Sequence, residues 1–157
     1  SMSNLACGCP GSHVRTIEKE ANSTNETSGR IGSELQQWPT QLHLVPPSAP
    51  FLQNAHLLIA ADCVPFAYAE FHRDFIKGKV LVNACPKLDD TSPYVEKLAA
   101  MIQQNDIKEI TVTIMEVPCC SSMNVIVKKA IEKSGKSVPV EQITISTRGE
   151  ELERKSW

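Results

Sequence analysis

The apolar residues of this chain fall into short runs separated by stretches with helical spacing. His56–Ala61 is almost wholly apolar, as in a strand covered on both faces. Residues 64–76 follow with Val64, Ala67/Tyr68, Phe71 and Phe75 on one helical stripe. Pro65 suits the first turn of that helix and Gly78 its end. Lys79–Ala84, with Val80, Leu81 and Val82, reads as a second strand. Thr91 or Ser92 is expected to cap the next helix, with Pro93 at its start and Val95, Leu98, Ala99 and Ile102 facing inward. Asn105 and Asp106 break it. Glu109–Met115 alternates Ile110, Val112 and Ile114 with threonines and predicts a third strand. A helix from about Cys120 to Ser134 stops at Gly135, and Val140–Ser146 is the fourth strand. Strands and helices alternating through short connections imply a parallel sheet with right-handed crossovers. The expected fold is a small three-layer α/β domain, Rossmann-like, with about four parallel strands and an N-terminal extended appendage.

The part before the first strand has a different character. Residues 7–16 are rich in turn formers. Residues 18–37 are polar, with Ile31 and Leu35 as the large apolar residues, and read as a linker or mobile excursion. Residues 38–47 bring Trp38, Leu42, Leu44 and Val45 back and end in Pro46-Pro47, which predicts an extended arm packed on the main body. The organisation expected is therefore an N-terminal segment over 1–50, an α/β domain over 51–150 and a polar tail over 151–157.

Charge and composition narrow the function. The 157 residues carry 16 Lys and Arg against 18 Asp and Glu, a formal net charge of −2. That balance gives no support to nucleic-acid binding, and an aromatic content of 5% weakens any base-stacking surface. The longest aliphatic run, Leu57–Ala61, is far short of a membrane span. The first residues show neither the basic nor the apolar region of a secretory signal, so a reducing, cytoplasmic setting is expected. Six cysteines in such a setting point to metal or redox chemistry more than to disulfides.

Four of the six fall at strand ends. Cys63 follows the first strand, Cys85 the second, and Cys119 and Cys120 the third. Carboxyl ends of parallel strands open on one edge, where sites form. Neighbouring strands lie ~4.8 Å apart, so three successive ends can bring three thiols to one small ligand. Proline stands beside or one residue from each position, in Cys63-Val-Pro65, Cys85-Pro86 and Pro118-Cys119, and again in Cys9-Pro10, stiffening each loop. Cys63 and Cys119 or Cys120 are expected at helix N-termini, where the dipole favours thiolate.

Thiolate-rich sites select zinc or iron–sulfur. A structural zinc site uses paired Cys-x2–4-Cys loops, and Cys7-x-Cys9 is too tight for one. A cubane cluster accepts separated cysteines. Three strand-end thiolates can hold it, leaving one iron for substrate or for Cys120, Cys7 or Cys9. A 4Fe–4S cluster is thus favoured over zinc. The zinc alternative is a lyase or hydrolase using Cys63, His72 and Cys85 or Cys119. A third reading is a thiol or persulfide module at Cys119-Cys120 or Cys7/Cys9. Around the edge, Asp62 can orient a ligand and Lys87 can offset thiolate charge. His13 adjoins the Cys-Gly-Cys-Pro-Gly-Ser turn. Asp89 follows Cys85, and Asp90 reads as a helix N-terminal acid. Neither a G-x-G-x-x-G nor a Walker A motif is present.

Longer motifs also stand out: Trp38-Pro-x-Gln-Leu-His-Leu-Val-Pro-Pro, Ala61-Asp-Cys-Val-Pro-Phe-Ala-Tyr, Cys85-Pro-Lys-Leu-Asp-Asp and Met115-Glu-Val-Pro-Cys-Cys. With these, residues 7–149 resemble a family of anaerobe-type iron–sulfur proteins that carry a 4Fe–4S ferredoxin domain. In its longer members a two-cluster ferredoxin domain precedes a Cys-Pro-Gly-Ser segment like Cys9–Ser12. The C-x2-C-x2-C-x3-C-P run of that domain is not in this sequence. The resemblance implies a redox domain served by a separate ferredoxin-type electron carrier, and the open iron of the expected site would serve an unknown small-molecule substrate.

Overall fold

Apolar runs buried on both faces build the centre of the structure, a computed structural model that describes residues 10–18 and 29–157. Two short strands, β1 (Arg15–Thr16) and β2 (Gln37–Trp38), pair antiparallel ahead of the main sheet. The main sheet contains β3 (His56–Ala61), β4 (Val80–Ala84), β5 (Glu109–Met115), β6 (Val140–Ile145) and β7 (Glu151–Ser156). Its spatial order is β4-β3-β5-β6-β7. The first four strands are parallel and β7 is antiparallel to β6. Leu57–Ala61 are all buried, because helices and loops cover both faces of a parallel sheet.

Two helices, α2 (Tyr94–Gln104) and α3 (Ser122–Ser134), pack against each other. Right-handed crossovers put the segment after β3 on the opposite face of the sheet. Tyr94, Leu98, Met101 and Ile102 of α2, and Met123, Val127 and Ala130 of α3, are buried against the strands. Gly135, at φ 71°, ends α3 in the left-handed conformation that glycine adopts freely.

Several elements differ from the sequence reading. The continuous helix expected over 64–76 is broken. Its first part is a single turn, α1 (Val64–Ala67), and Tyr68 is already extended. A π-helical turn follows at His72–Ile76. The apolar stripe is honoured all the same, since Val64, Phe71 and Phe75 are buried. Gly149, in the β6–β7 turn, comes so close to the Ala67 carbonyl that an added Cβ would lie 2.3 Å from its oxygen. The break falls where the β6–β7 turn packs against this backbone. Neither Thr91 nor Ser92 caps α2. Pro93 holds the cap position, and the Ser92 hydroxyl donates instead to Asp90.

Residues 151–157 are not a loose polar tail. They form β7, whose six residues are all exposed, so no apolar alternation marks it in the sequence. Charges along a sheet edge discourage pairing with other chains. Arg154 joins Glu151 at 2.6 Å and also reaches Glu141 across the pair. Trp157 closes the edge, its amide donating to Val140 O at 3.0 Å.

The opposite edge, β4, is covered by the N-terminal arm. Asn83 N donates to Thr40 O and Leu42 N donates to Asn83 O, both at 2.9 Å. The fully buried Gln37 extends this pairing with its side chain, Nε2 donating to Leu81 O at 2.6 Å. The arm is extended only this far; residues 42–45 turn, yet Leu42 and Val45 are fully buried in the same core as the sheet. Residue 50 is therefore no domain boundary. Of the polar stretch 18–37, residues 34–37 pack on the body and residues 19–28 lie outside the described residues. Among the described residues, no helix is long and apolar enough to cross a membrane.

The two turn glycines separate backbone strain from collision. Gly78 (φ 76°) has nothing within 4 Å of an added Cβ, whereas Gly149 (φ 81°) meets the Ala67 carbonyl. Gly78→Ala should cost about 1 kcal/mol and Gly149→Ala about 2 kcal/mol or more, measured by urea unfolding.

Candidate functional site

The chain runs from β3 outward to β4, then returns through α2 to β5 on the other side of β3. The carboxyl ends of β3 and β5 therefore flank the point where the winding reverses, the crevice in which open α/β sheets place ligands. The loop after β3 carries Asp62 and Cys63. The loop after β4 carries Cys85 and Pro86, and the loop after β5 carries Val117, Cys119 and Cys120. All seven line one cavity of about 180 Å³, together with Ala61, Met115 and Thr147. Three consecutive strand ends thus deliver four thiols to one small volume.

The four thiols differ in environment. Cys63 and Cys119 are exposed, Cys85 is half-buried and Cys120 is buried, and all four are free of disulfides. Cys63 occupies the cap position of the four-residue α1, but its side chain caps nothing. Pro118–Cys120 form a 3-10 turn ahead of α3. For Cys120 the expected stabilisation of thiolate is reversed. Burial pushes its thiol up, and the neighbouring Cys119 and Cys63 add to this, against a backbone hydrogen bond at Met115. Among the described residues, no group of three or more His, Cys, Asp or Glu side chains is already arranged to hold a metal ion. The donor set, four sulfurs on one cavity, has the chemistry of a soft-metal site.

A carboxylate that the sequence reading placed after Cys85 without a role shapes the Cys85 loop. Asp89 Oδ2 accepts from Cys85 N at 2.9 Å and from Gln41 Nε2 at 3.0 Å, and also from the Tyr94 hydroxyl. Asp89 N donates back to Cys85 O at 2.9 Å. Burial alone would raise the Asp89 carboxyl, yet these donors hold it below its ordinary value. The same contact and burial push the Tyr94 hydroxyl up, burial being the larger cause. The detectable signal was an Asp four residues after Cys85, able to fold the loop back on its own amide.

The remaining candidates are scattered. Asp62 Oδ1 accepts from Asn83 Nδ2 at 2.8 Å, and Asp62 lines both the thiol cavity and a larger one of about 410 Å³. His72 lines only the larger cavity of the two, where its Nδ1 accepts from Glu34 N at 3.1 Å. Lys87 and His13 are exposed and line neither. Asp90 takes the Ser92 amide at 3.1 Å rather than a helix end. Cys7 and Cys9 lie outside the described residues, although Gly11, two residues after Cys9, accepts from Trp38 Nε1 at 2.5 Å.

A model of a Rossmann-like domain matches residues 49–156. The chain belongs to this Rossmann-like domain family. A relative from Archaeoglobus fulgidus, described as an uncharacterized protein, is 34% identical over 116 residues, covering 74% of this chain and 81% of its own length. No solved structure matches. Within the Rossmann-like domain, the β3–β5 crevice is lined by the cysteine-bearing loops.

Two measurements follow from this geometry. In metal-free protein, iodoacetamide should label Cys63 and Cys119 first, Cys85 next and Cys120 last, as read by peptide mass mapping. Asp89→Ala should cost about 1–3 kcal/mol near neutral pH, because it strips three donors of their acceptor. A lowered carboxyl stabilises the fold above its unfolded value and loses that stabilisation as pH falls through the folded value. The gap between wild type and Asp89→Ala in urea unfolding should therefore shrink below about pH 4.

Proposed function

We propose that this Rossmann-like domain is an iron–sulfur redox protein, with the cluster held by thiolates at the ends of β3, β4 and β5. The observation that carries the reading is the single cavity lined by Cys63, Cys85, Cys119 and Cys120. The resemblance of its motifs to ferredoxin-associated iron–sulfur proteins supports a 4Fe–4S cluster and a separate ferredoxin-type electron carrier. A bound cluster of this kind supplies one-electron transfer and, at an iron without a protein thiolate, a Lewis-acidic position for a small substrate.

The residues divide the work. Cys63 and Cys119 present accessible thiols from opposite sides of the winding reversal. Cys85 is fixed through its amide by Asp89. Cys120, buried and harder to ionise, is the fourth ligand only if a metal or cluster draws off its proton. Cys7 and Cys9 are alternative fourth ligands by sequence. Asp62 stands at the border of the thiol cavity and accepts from Asn83, in position to orient a group that enters from the larger cavity.

The zinc lyase or hydrolase reading needs His72 beside Cys63 and Cys85 or Cys119. It has less support, since His72 lines the other cavity with Nδ1 already engaged. A thiol or persulfide function at Cys119-Cys120 uses the same cavity without a metal.

Protein expressed and purified without oxygen decides among these. We expect a brown protein with broad absorption near ~400 nm and about four irons and four sulfides per chain. Cys63→Ser, Cys85→Ser and Cys119→Ser should each lose most of that iron. Zinc alone would favour the lyase or hydrolase. Iron unaffected by the three substitutions, or no metal at all, overturns the proposal.

A further inference from the structure

The larger cavity, about 410 Å³, contains none of the thiols. It falls in the size range of small-molecule sites, and two of its lining aromatic residues keep much of their surface in water. Phe66, in α1, is 93% exposed and Trp38 is 39% exposed. Phe71, also in the lining, is buried. The Trp38 indole N–H is already spent on Gly11 O at 2.5 Å, so the ring is held in place and what it offers a ligand is its π face.

The polar part of the lining is negative. Asp62 is half-buried, and one of its oxygens accepts from the neutral amide of Asn83 at 2.8 Å. None of the ion pairs among the described residues includes Asp62. His72, also in the lining, is engaged at Nδ1 by Glu34 N at 3.1 Å. A carboxylate without a cationic partner, set beside exposed aromatic rings, is the combination that recognises an organic cation: the ring faces attract the charge and the carboxylate pairs with it.

We propose that this cavity binds a small organic cation, an amine with an aromatic or short aliphatic body, its charged nitrogen on Asp62 and its apolar body between Trp38 and Phe66. With Nδ1 engaged by Glu34 N, His72 has Nε2 left for a polar group on the same molecule. The inference goes beyond the iron–sulfur reading and stands whether or not the thiols hold a metal, since the two cavities share only Asp62.

The chain holds two tryptophans, so its indole N–H region in a nitrogen–proton spectrum has two signals. Trp157 sits on the far edge of the sheet against Lys128 and Gln142, and Trp157→Phe assigns the signals. The probes are benzylamine, benzyl alcohol and benzoate, each titrated to about 10 mM against the protein as purified without oxygen. Benzylamine should shift the Trp38 signal saturably and leave Trp157 still. Benzyl alcohol should bind about tenfold more weakly and benzoate more weakly again. Asp62→Asn should abolish the preference for the amine. Phe66→Ala should weaken amine binding severalfold without moving the unfolding midpoint, because that ring is exposed. An unmoved Trp38 signal, equal binding of amine and alcohol, or an Asp62→Asn variant that keeps the preference overturns the proposal.

Discussion

Parallel pairing of β3 with β4 on one side and β5 on the other sets the geometry of the whole molecule. The register runs from Leu57 against Val80 to Ala61 against Ala84, and from His56 against Glu109 to Ala60 against Thr113. Each of these strands is held by a ladder and by burial on both faces, so their carboxyl ends emerge side by side at a fixed spacing. The four thiols and Asp62 sit in the segments that leave those ends. A slip of one residue in either pairing would turn inward side chains outward and move a thiol loop out of the cavity. The apolar content of Leu57–Ala61 is therefore as much a condition of the site as the cysteines are.

The two edges of the sheet are closed by different means. On the β4 side the arm lends backbone at Thr40 and Leu42 and a side-chain amide at Gln37. On the β6 side the antiparallel strand β7, which carries Glu151, Glu153, Arg154 and Lys155, does so. The first closure also reaches the site, because the arm supplies Gln41 to Asp89 and Trp38 to the larger cavity. Asp89 then links arm, Cys85 loop and α2 in one hydrogen-bonded group. Local folding of the N-terminal arm and the shape of the thiol edge are in this way parts of one structure.

How much of this was legible in the sequence differs by element. β3 and β5 match the predicted spans residue for residue, because strands covered on both faces leave unbroken apolar or β-branched runs. β7 was missed for the opposite reason: Glu151–Ser156 is exposed on both faces and carries no apolar period. The break after Ala67 leaves no local signal, and the residue packed against it, Gly149, lies more than eighty residues away. Convergence of Cys63, Cys85 and Cys119 followed from strand-end position once a parallel sheet was inferred. The Asp89 hydrogen bonds and the aromatic cavity depend on Gln41, Trp38 and the arm, whose docking no local pattern encodes.

The central claim is that thiols from three separate loops act on one bound centre. Cobalt(II) added to metal-free protein reports this directly through its thiolate-to-metal charge-transfer absorption, whose strength grows with the number of thiolates on each ion. The account predicts saturation at one equivalent, and a loss of about a third of the band for each of Cys63→Ser, Cys85→Ser and Cys119→Ser. A band that saturates at several equivalents, or that survives any two of these substitutions together, would contradict it.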